Sequence, residues 1–335
     1  MAWSGGALAR CSLAPGLRVR HMSGAGYTME QVKQMRSMTS APMKECVKAL
    51  KATEGNIEEA IAWLRKAGVA SAHKKADRQT SDGAVVLAMG EAGIACVEVN
   101  TETDFVARNT VFQDLATSIA RSCLSLSVSS AGATAGATGP LSIDVAALGA
   151  SKLASGQAEA PMVSDALALA MTQLGENVVV RRACLLPIPE NGLIASYVHN
   201  QYSPQLGRIG AAVALASDAA DKAALKKLGE QLCMHIVASS PVAVTRDSVP
   251  VSRIEREREI LVAQAANSGK PAQVVEKMVS GRLDKFFQEV ALLEQPFVLD
   301  EKGAPVKRAL EAASKELGSP VECVGFVRYA VGEAA

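Results

Sequence analysis

Residues 84–109 read AVVLAMGEAGIACVEVNTETDFVARN, and the fold hangs on how this run divides. Ala84 to Met89 and Ile94 to Val99 are apolar and rich in β-branched residues, and Gly90-Glu91-Ala92-Gly93 between them has turn composition. That pattern predicts a β-hairpin. After Val99 the period changes. Thr103 or Asp104 can cap a helix running from about Asp104 or Asn109 to Leu124, with Phe112, Leu115, Ile119 and Cys123 on one face. Phe105 falls in the first turn, flanked by Glu102, Asp104 and Arg108. Two fates are open to its ring: to fold back into the core, or to stand outward. The helix already has an inward stripe, which favours the second. Aromatic residues make up only 4% of the chain, so a phenylalanine among charges needs a reason.

Upstream, Tyr27 to Gly68 reads as three short helices forming a three-helix bundle, a layout that resembles UBA-like modules. Thr28 and Gln31 have capping-box spacing, with Met29, Val32 and Met35 in one stripe. Ser40 can cap the second helix, with Pro42 in its first turn and Met43, Cys46, Val47 and Leu50 on one face. Asn56 caps the third, which carries Ile57, Ala60, Ile61 and Leu64 and is expected to stop at Gly68. A unit this small suits docking better than chemistry. Residues 69–83 are small, polar and basic, a linker composition compatible with partial helix.

Downstream, residues 125–160 are rich in Ser, Ala and Gly and read as a flexible insertion. A helix around Asp165 to Leu174 leads to a strand at Asn177 to Arg182. Strands at Leu193 to Val198 and Ile209 to Ala216 then precede a helix striped by Leu225, Leu228, Leu232 and Ile236. Hairpin then helix, twice, predicts an α+β core of two related halves, 84–182 and 183–246 with 288–335. Residues 247–287 read as an inserted helical hairpin. A strand near Glu289 to Leu293, a helix from Pro305 to Gly318 and a strand at Val321 to Val331 complete the chain.

The chain has 335 residues, 49% hydrophobic and 21% charged, enough for two or three folded units and incompatible with wholesale disorder. Lys and Arg number 35 against 34 Asp and Glu, which gives no general pull toward nucleic acid. The longest uncharged window, Ser122 to Ile143, lacks the apolar run needed to cross a bilayer. The first 29 residues hold Arg10, Arg18 and Arg20 and no carboxylate. That start resembles a transit peptide over residues 1–26 and predicts a mitochondrial matrix protein, a plastid being the lesser alternative.

Signals for covalent chemistry are weak. There is no GxxxxGK[ST] loop and no GxGxxG after a strand, so no phosphate cradle or bound nucleotide is expected. The 7 cysteines form no CxxC, and no metal or other cofactor is expected. His235, beside an apolar stripe, reads as a structural histidine. His199, placed in a loop after a strand, is either a surface residue or a contact residue. A hydrolase built on Cys184 and His199 and a peptide- or ubiquitin-binding bundle are the competing classes, and the second leaves the core unexplained.

With these residues in view, the chain resembles the elongation factor Ts family, the guanine-nucleotide exchange factors of elongation factor Tu. TDFV at 103–106 carries the resemblance most specifically, within the longer run ending VARN. Matching runs recur as GENVVVRR at 175–182, SYVH at 196–199, GRIG at 207–210, MHIVAS at 234–239 and SGKPA at 268–272. EKMVSGR at 276–282, EQPFV at 294–298 and GFVR at 325–328 continue the series, and Thr39, Met43, Cys46, Lys48, Ala49 and Leu50 match the bundle's second helix.

The resemblance implies a binding protein with no catalytic residue, whose partner is elongation factor Tu of an organelle and which touches neither nucleic acid nor membrane. It implies that Phe105 wedges near the partner's Mg²⁺ and phosphate site while Asp104 holds local polar contacts. It further implies partner contacts at Thr103, Val106, Leu174, Gly175, His199, Val298 and Leu299, with Met43 and Lys48 on the bundle. Val47 stands where the family pattern has a lysine, Ser40 where it has glycine and Thr101 where it has cysteine.

Overall fold

The computed structural model describes residues 26–39, 41–75, 77–129, 139–154, 160–266 and 272–333. Residues 1–25 of the expected transit peptide and Ser40 lie outside them. Contacts divide the chain into two compact units, Met1–Leu64 and Arg65–Ala335.

The first unit holds α1 (Met29–Thr39), α2 (Met43–Ala52) and the start of α3 (Ile57–Lys75). The capping box forms as the spacing requires: the Gln31 N–H donates to Thr28 Oγ1 at 3.2 Å and the Thr28 N–H to Gln31 Oε1 at 2.6 Å. Asn56 Oδ1 likewise accepts the Glu58 and Glu59 N–H groups at 3.1 and 3.3 Å. Val32, Met35, Cys46, Ala49, Leu50, Ala60 and Leu64 close the core. The turn before α3 needs Gly55, at φ +86°, because a Cβ there would lie 2.2 Å from the Gly26 carbonyl oxygen.

Gly68 does not end the third helix; α3 continues to Lys75. A single glycine costs a helix only about 1 kcal/mol, and the Ala-containing run behind it propagates the turn. In the second unit Gly68 permits a close approach to α7 (Val163–Leu174), since its Cβ would meet Thr172 Oγ1 at 3.0 Å. Lys75 Nζ donates to the Met171 carbonyl at 2.8 Å.

The second unit is built on one antiparallel sheet of seven strands: β1 (Asp82–Gly90), β2 (Gly93–Thr101), β3 (Leu141–Ile143), β4 (Val178–Pro187), β5 (Gly192–Ser203), β6 (Leu206–Ala216) and β7 (Glu322–Ala330). Their order is β3-β4-β2-β1-β6-β5, with β7 also on β6. The hairpin register runs from Asp82 opposite Thr101 to Gly90 opposite Gly93.

Every residue of β2 is buried, because alternate side chains serve two cores. Ala95, Val97 and Val99 face α5 (Thr110–Ser129) and α7, whereas Ile94 and Cys96 meet Cys184, Ile194, Val198 and Val327. A third core lies between β5, β6, α8 (Lys222–Ser239) and α11 (Val306–Leu317). The segments expected as two α+β halves share one sheet, in which Val85 and Val86 of β1 pair with Gly207 and Leu206 of β6. The boundary expected at residue 182 falls inside β4.

Two expected segments differ. Within 125–160, α5 extends to Ser129, β3 pairs with β4, and Asp144 caps α6 (Val145–Gly149) through the Ala146 and Ala147 N–H groups. A short alternating Leu-Ser-Ile run and an Asp cap suffice for local order there. The Glu289 to Leu293 segment is no strand: α10 (Ala272–Val290) runs into it, followed by a 3₁₀ turn at Leu292–Glu294. Short apolar runs fit either state, and burial of Leu292 decides for the turn. The inserted segment holds two helices, α9 (Val251–Ala266) and α10, which pack through Leu261, Ala265 and Val279; residues 267–271 between them lie outside the described residues.

Candidate functional site

β2 and β4 end together, with Thr101 opposite Val178. The register brings the segment after β2 against the segment entering β4, 75 residues later in sequence. α7 ends on Gly175, which adopts the left-handed conformation at φ 81° and donates its N–H to the Met171 carbonyl. The chain turns there and presents Glu176 to the end of β2.

Both Glu176 oxygens are used. Oε2 accepts the Thr101 hydroxyl at 2.9 Å and the Thr103 N–H at 3.0 Å, and Oε1 accepts the Thr103 hydroxyl at 2.7 Å. Glu102 answers in the other direction, accepting the Asn177 N–H at 2.7 Å. Arg78 lies 3.4 Å from Glu102, and its carbonyl accepts from Asn177 Nδ2 at 3.1 Å. Thr103 is thus the N-cap of α4 (Asp104–Ala107) by backbone position only, because its hydroxyl is committed to Glu176.

The helix expected after Val99 is two helices. α4 is a single turn, and α5 restarts after Asn109, whose Oδ1 accepts the Val111 N–H at 2.9 Å. Val106 and Ala107 are buried with Phe112 beneath α4. Phe105 points the other way and is 82% exposed. Asp104 Oδ2 lies 3.6 Å from Arg108 Nε, and the Arg108 guanidinium sits 5.0 Å from the Tyr202 ring centroid.

Of the residues singled out in the sequence, Thr103, Asp104, Phe105, Val106, Leu174 and Gly175 come together at this end of the sheet. Val106 and Leu174 pack on the core, and Gly175 is exposed. His199 is in β5, not in a loop, exposed and sharing a 3.3 Å hydrogen bond with the Tyr197 hydroxyl. Val298 and Leu299 are half exposed, outside a buried knot: His235 Nδ1 accepts the Val298 N–H at 3.3 Å, and Nε2 donates to Gln295 Oε1 at 2.9 Å. Burial lowers the His235 pKa against a smaller opposing effect of the Gln295 bond. On α2, Met43 is exposed and Lys48 pairs with Glu45 at 2.7 Å, while Val47 packs on the bundle core. No hydrogen bond or ion pair among the described residues ties His199, Val298 or Leu299 to α4.

Cys184 is buried opposite Cys96, and exposed His199 pairs with Tyr197, so the pair lacks a nucleophile–base geometry. No group of three metal-ligand side chains exists among the described residues, and no described helix is long and apolar enough to cross a membrane. Glu176 and Tyr202 are what the sequence reading missed, and Glu102 figured there only as a charge beside Phe105. Glu176 sat within a quoted run, but nothing local shows that its partners lie on β2.

A family model described as "Elongation factor TS" matches residues 102–333. Elongation factor Ts of Caulobacter vibrioides is 44% identical over 92% of this chain and 93% of its own length. Those of Maricaulis maris and Rhizobium etli are 43% and 42% identical, covering 92% and 91% of this chain and 93% and 92% of their own. These relatives are bacterial, which overturns the mitochondrial address read from Arg10, Arg18 and Arg20. Three arginines and a missing carboxylate are a composition that sequences without an import signal also reach. The match over most of both lengths, with the TDFV turn inside it, places this chain in the elongation factor Ts family, the translation elongation factors that exchange the nucleotide of elongation factor Tu without covalent chemistry of their own.

Proposed function

We propose that this chain speeds GDP release from elongation factor Tu by inserting Phe105 between elements of the GTPase domain, where it disturbs the Mg²⁺ and phosphate surroundings. The observation that carries the reading is a phenyl ring 82% exposed on a turn whose neighbours Val106 and Ala107 are buried. An apolar ring left in water at a rigid point is suited to a partner's pocket. Asp104, Thr103 and Val106 shape the turn, and Leu174 and Gly175 lie beside it as further contacts.

Burying one phenyl ring gains about 1.5–3 kcal/mol, one to two decades of nucleotide affinity at about 1.4 kcal/mol each. Other contacts must supply the rest. His199, Val298 and Leu299 serve a second region of the partner, and the bundle of residues 27–68 contacts the GTPase domain through Met43 and Lys48. The halves 84–182 and 183–246 with 288–335 are the working divisions of the core, and the hairpin 247–287 is a separate appendage. Coupling is reciprocal: whatever factor weakens GDP, GDP weakens the factor equally, so GTP can refill the site and release it.

The deciding experiment is labelled-GDP release from purified bacterial elongation factor Tu with the parent chain and with Phe105→Ala. Loss of most of the stimulation is expected, and an unchanged rate removes the wedge.

A further inference from the structure

We propose that Glu176 is a positioning residue for nucleotide exchange, fixing the direction in which α4 presents Phe105; this rests on the reading that Phe105 acts on the partner. A single helical turn has almost no stability of its own, because nucleation fixes several residues for one hydrogen bond. In α4 the first of those bonds, from the Ala107 N–H to the Thr103 carbonyl, is long at 3.4 Å. What holds the turn is its anchors. Val106 and Ala107 pin its underside to the core, but burial alone leaves the approach angle free. The Glu176 carboxylate fixes that angle through three donors at the end of β2.

A carboxylate serves this geometry better than any neutral side chain. All three groups facing Glu176 donate, and an ionised carboxylate is an acceptor on both oxygens. Glutamine keeps one acceptor oxygen, but its NH₂ forces the Thr103 hydroxyl to turn round and accept, and all three bonds lose the charge that strengthens them. Glu102, accepting the Asn177 N–H, locks the same two segments reciprocally. At the far end, Arg108 over Tyr202 steadies the exit of the turn. No hydrogen bond or ring contact among the described residues joins the Phe105 side chain to these groups, so Glu176 acts through the backbone of Thr103.

The test uses full-length chains and fluorescent GDP bound to bacterial elongation factor Tu, with Glu176→Gln, Phe105→Ala and the double variant, alongside amide hydrogen exchange of the free chains. Glu176→Gln is expected to slow stimulated release on the order of tenfold, equivalent to about 1.4 kcal/mol, and to speed exchange of the 103–108 amides while β2 keeps its protection. In the Phe105→Ala background the same change should add little, because the ring it positions is gone. Thr103→Val, which removes one bond of the clamp without changing shape, should move both readouts the same way by less. An unchanged release rate in Glu176→Gln, or losses that multiply in the double variant, overturns the proposal. A Phe105→Ala chain as active as the parent overturns the wedge reading instead.

Discussion

Glu98 and Arg182 face each other across β2 and β4 at 2.7 Å, next to a bulge in the register, with the glutamate side chain wholly buried. The same carboxylate accepts the Gly332 N–H at 2.9 Å, and Arg182 Nη2 donates to the Ala330 carbonyl at 3.2 Å. The Arg182 guanidinium also lies 4.1 Å from the Tyr329 ring centroid. One ion pair therefore fastens the end of β7 onto strands some 150 and 230 residues earlier.

Removing one partner of a buried pair leaves the other charge unpaired. Glu98→Gln is expected to cost about 3–5 kcal/mol, read by urea denaturation, with amides near Gly332 losing protection first. A change below about 1 kcal/mol would show that water relieves Arg182.

His235 gives a pH dependence with a definite sign. Its folded pKa is depressed by burial, so below the unfolded value of about 6.5 the unfolded chain takes up a proton that the native chain resists. Its contribution is fully present above that value and is lost as pH falls toward the lower folded value. Thermal melts at pH 7.5 and 5.5 should therefore differ more for the parent than for His235→Asn. Equal differences would mean that the imidazole titrates freely.

Gly229 on α8 lies where an added Cβ would come 2.5 Å from the Ala195 Cβ of β5. Neither atom can swing away, so Gly229→Ala should force the helix off the sheet at a cost of about 1–3 kcal/mol. Gly281 on α10 has open space at the same position, and Gly281→Ala should be neutral or stabilising. Denaturation midpoints of the two variants should move in opposite directions, or differ clearly.

Phe105→Ala should leave folding intact. The ring is exposed and contributes no core contact, so the change in unfolding free energy should stay within about 0.5 kcal/mol while stimulated GDP release falls. A stability loss of several kcal/mol would place the ring in the interior in solution.

Local rules made much of this chain legible in its sequence. Thr28 with Gln31 and Asn56 with Glu59 are separated by three residues, so their caps depend on nothing distant. The Ala84 to Val99 hairpin and the striped helices follow from periods that any short segment displays. Motif content was enough to reveal the family. What local rules could not weigh was competition across the fold. Phe105 had two fates that local rules left open, and it points outward because Val106, Ala107 and Phe112 already fill the space beneath α4. Gly68 looked like a stop until packing against α7 made a glycine useful inside a helix. The role of Glu176 existed nowhere in its own neighbourhood: its carboxylate acquires meaning only when sheet register sets it beside Thr101 and Thr103. Sequence fixes periodicity and capping because those interactions close within a turn or two, whereas the direction of a side chain at the edge of a core is settled by whichever distant residue occupies the space first.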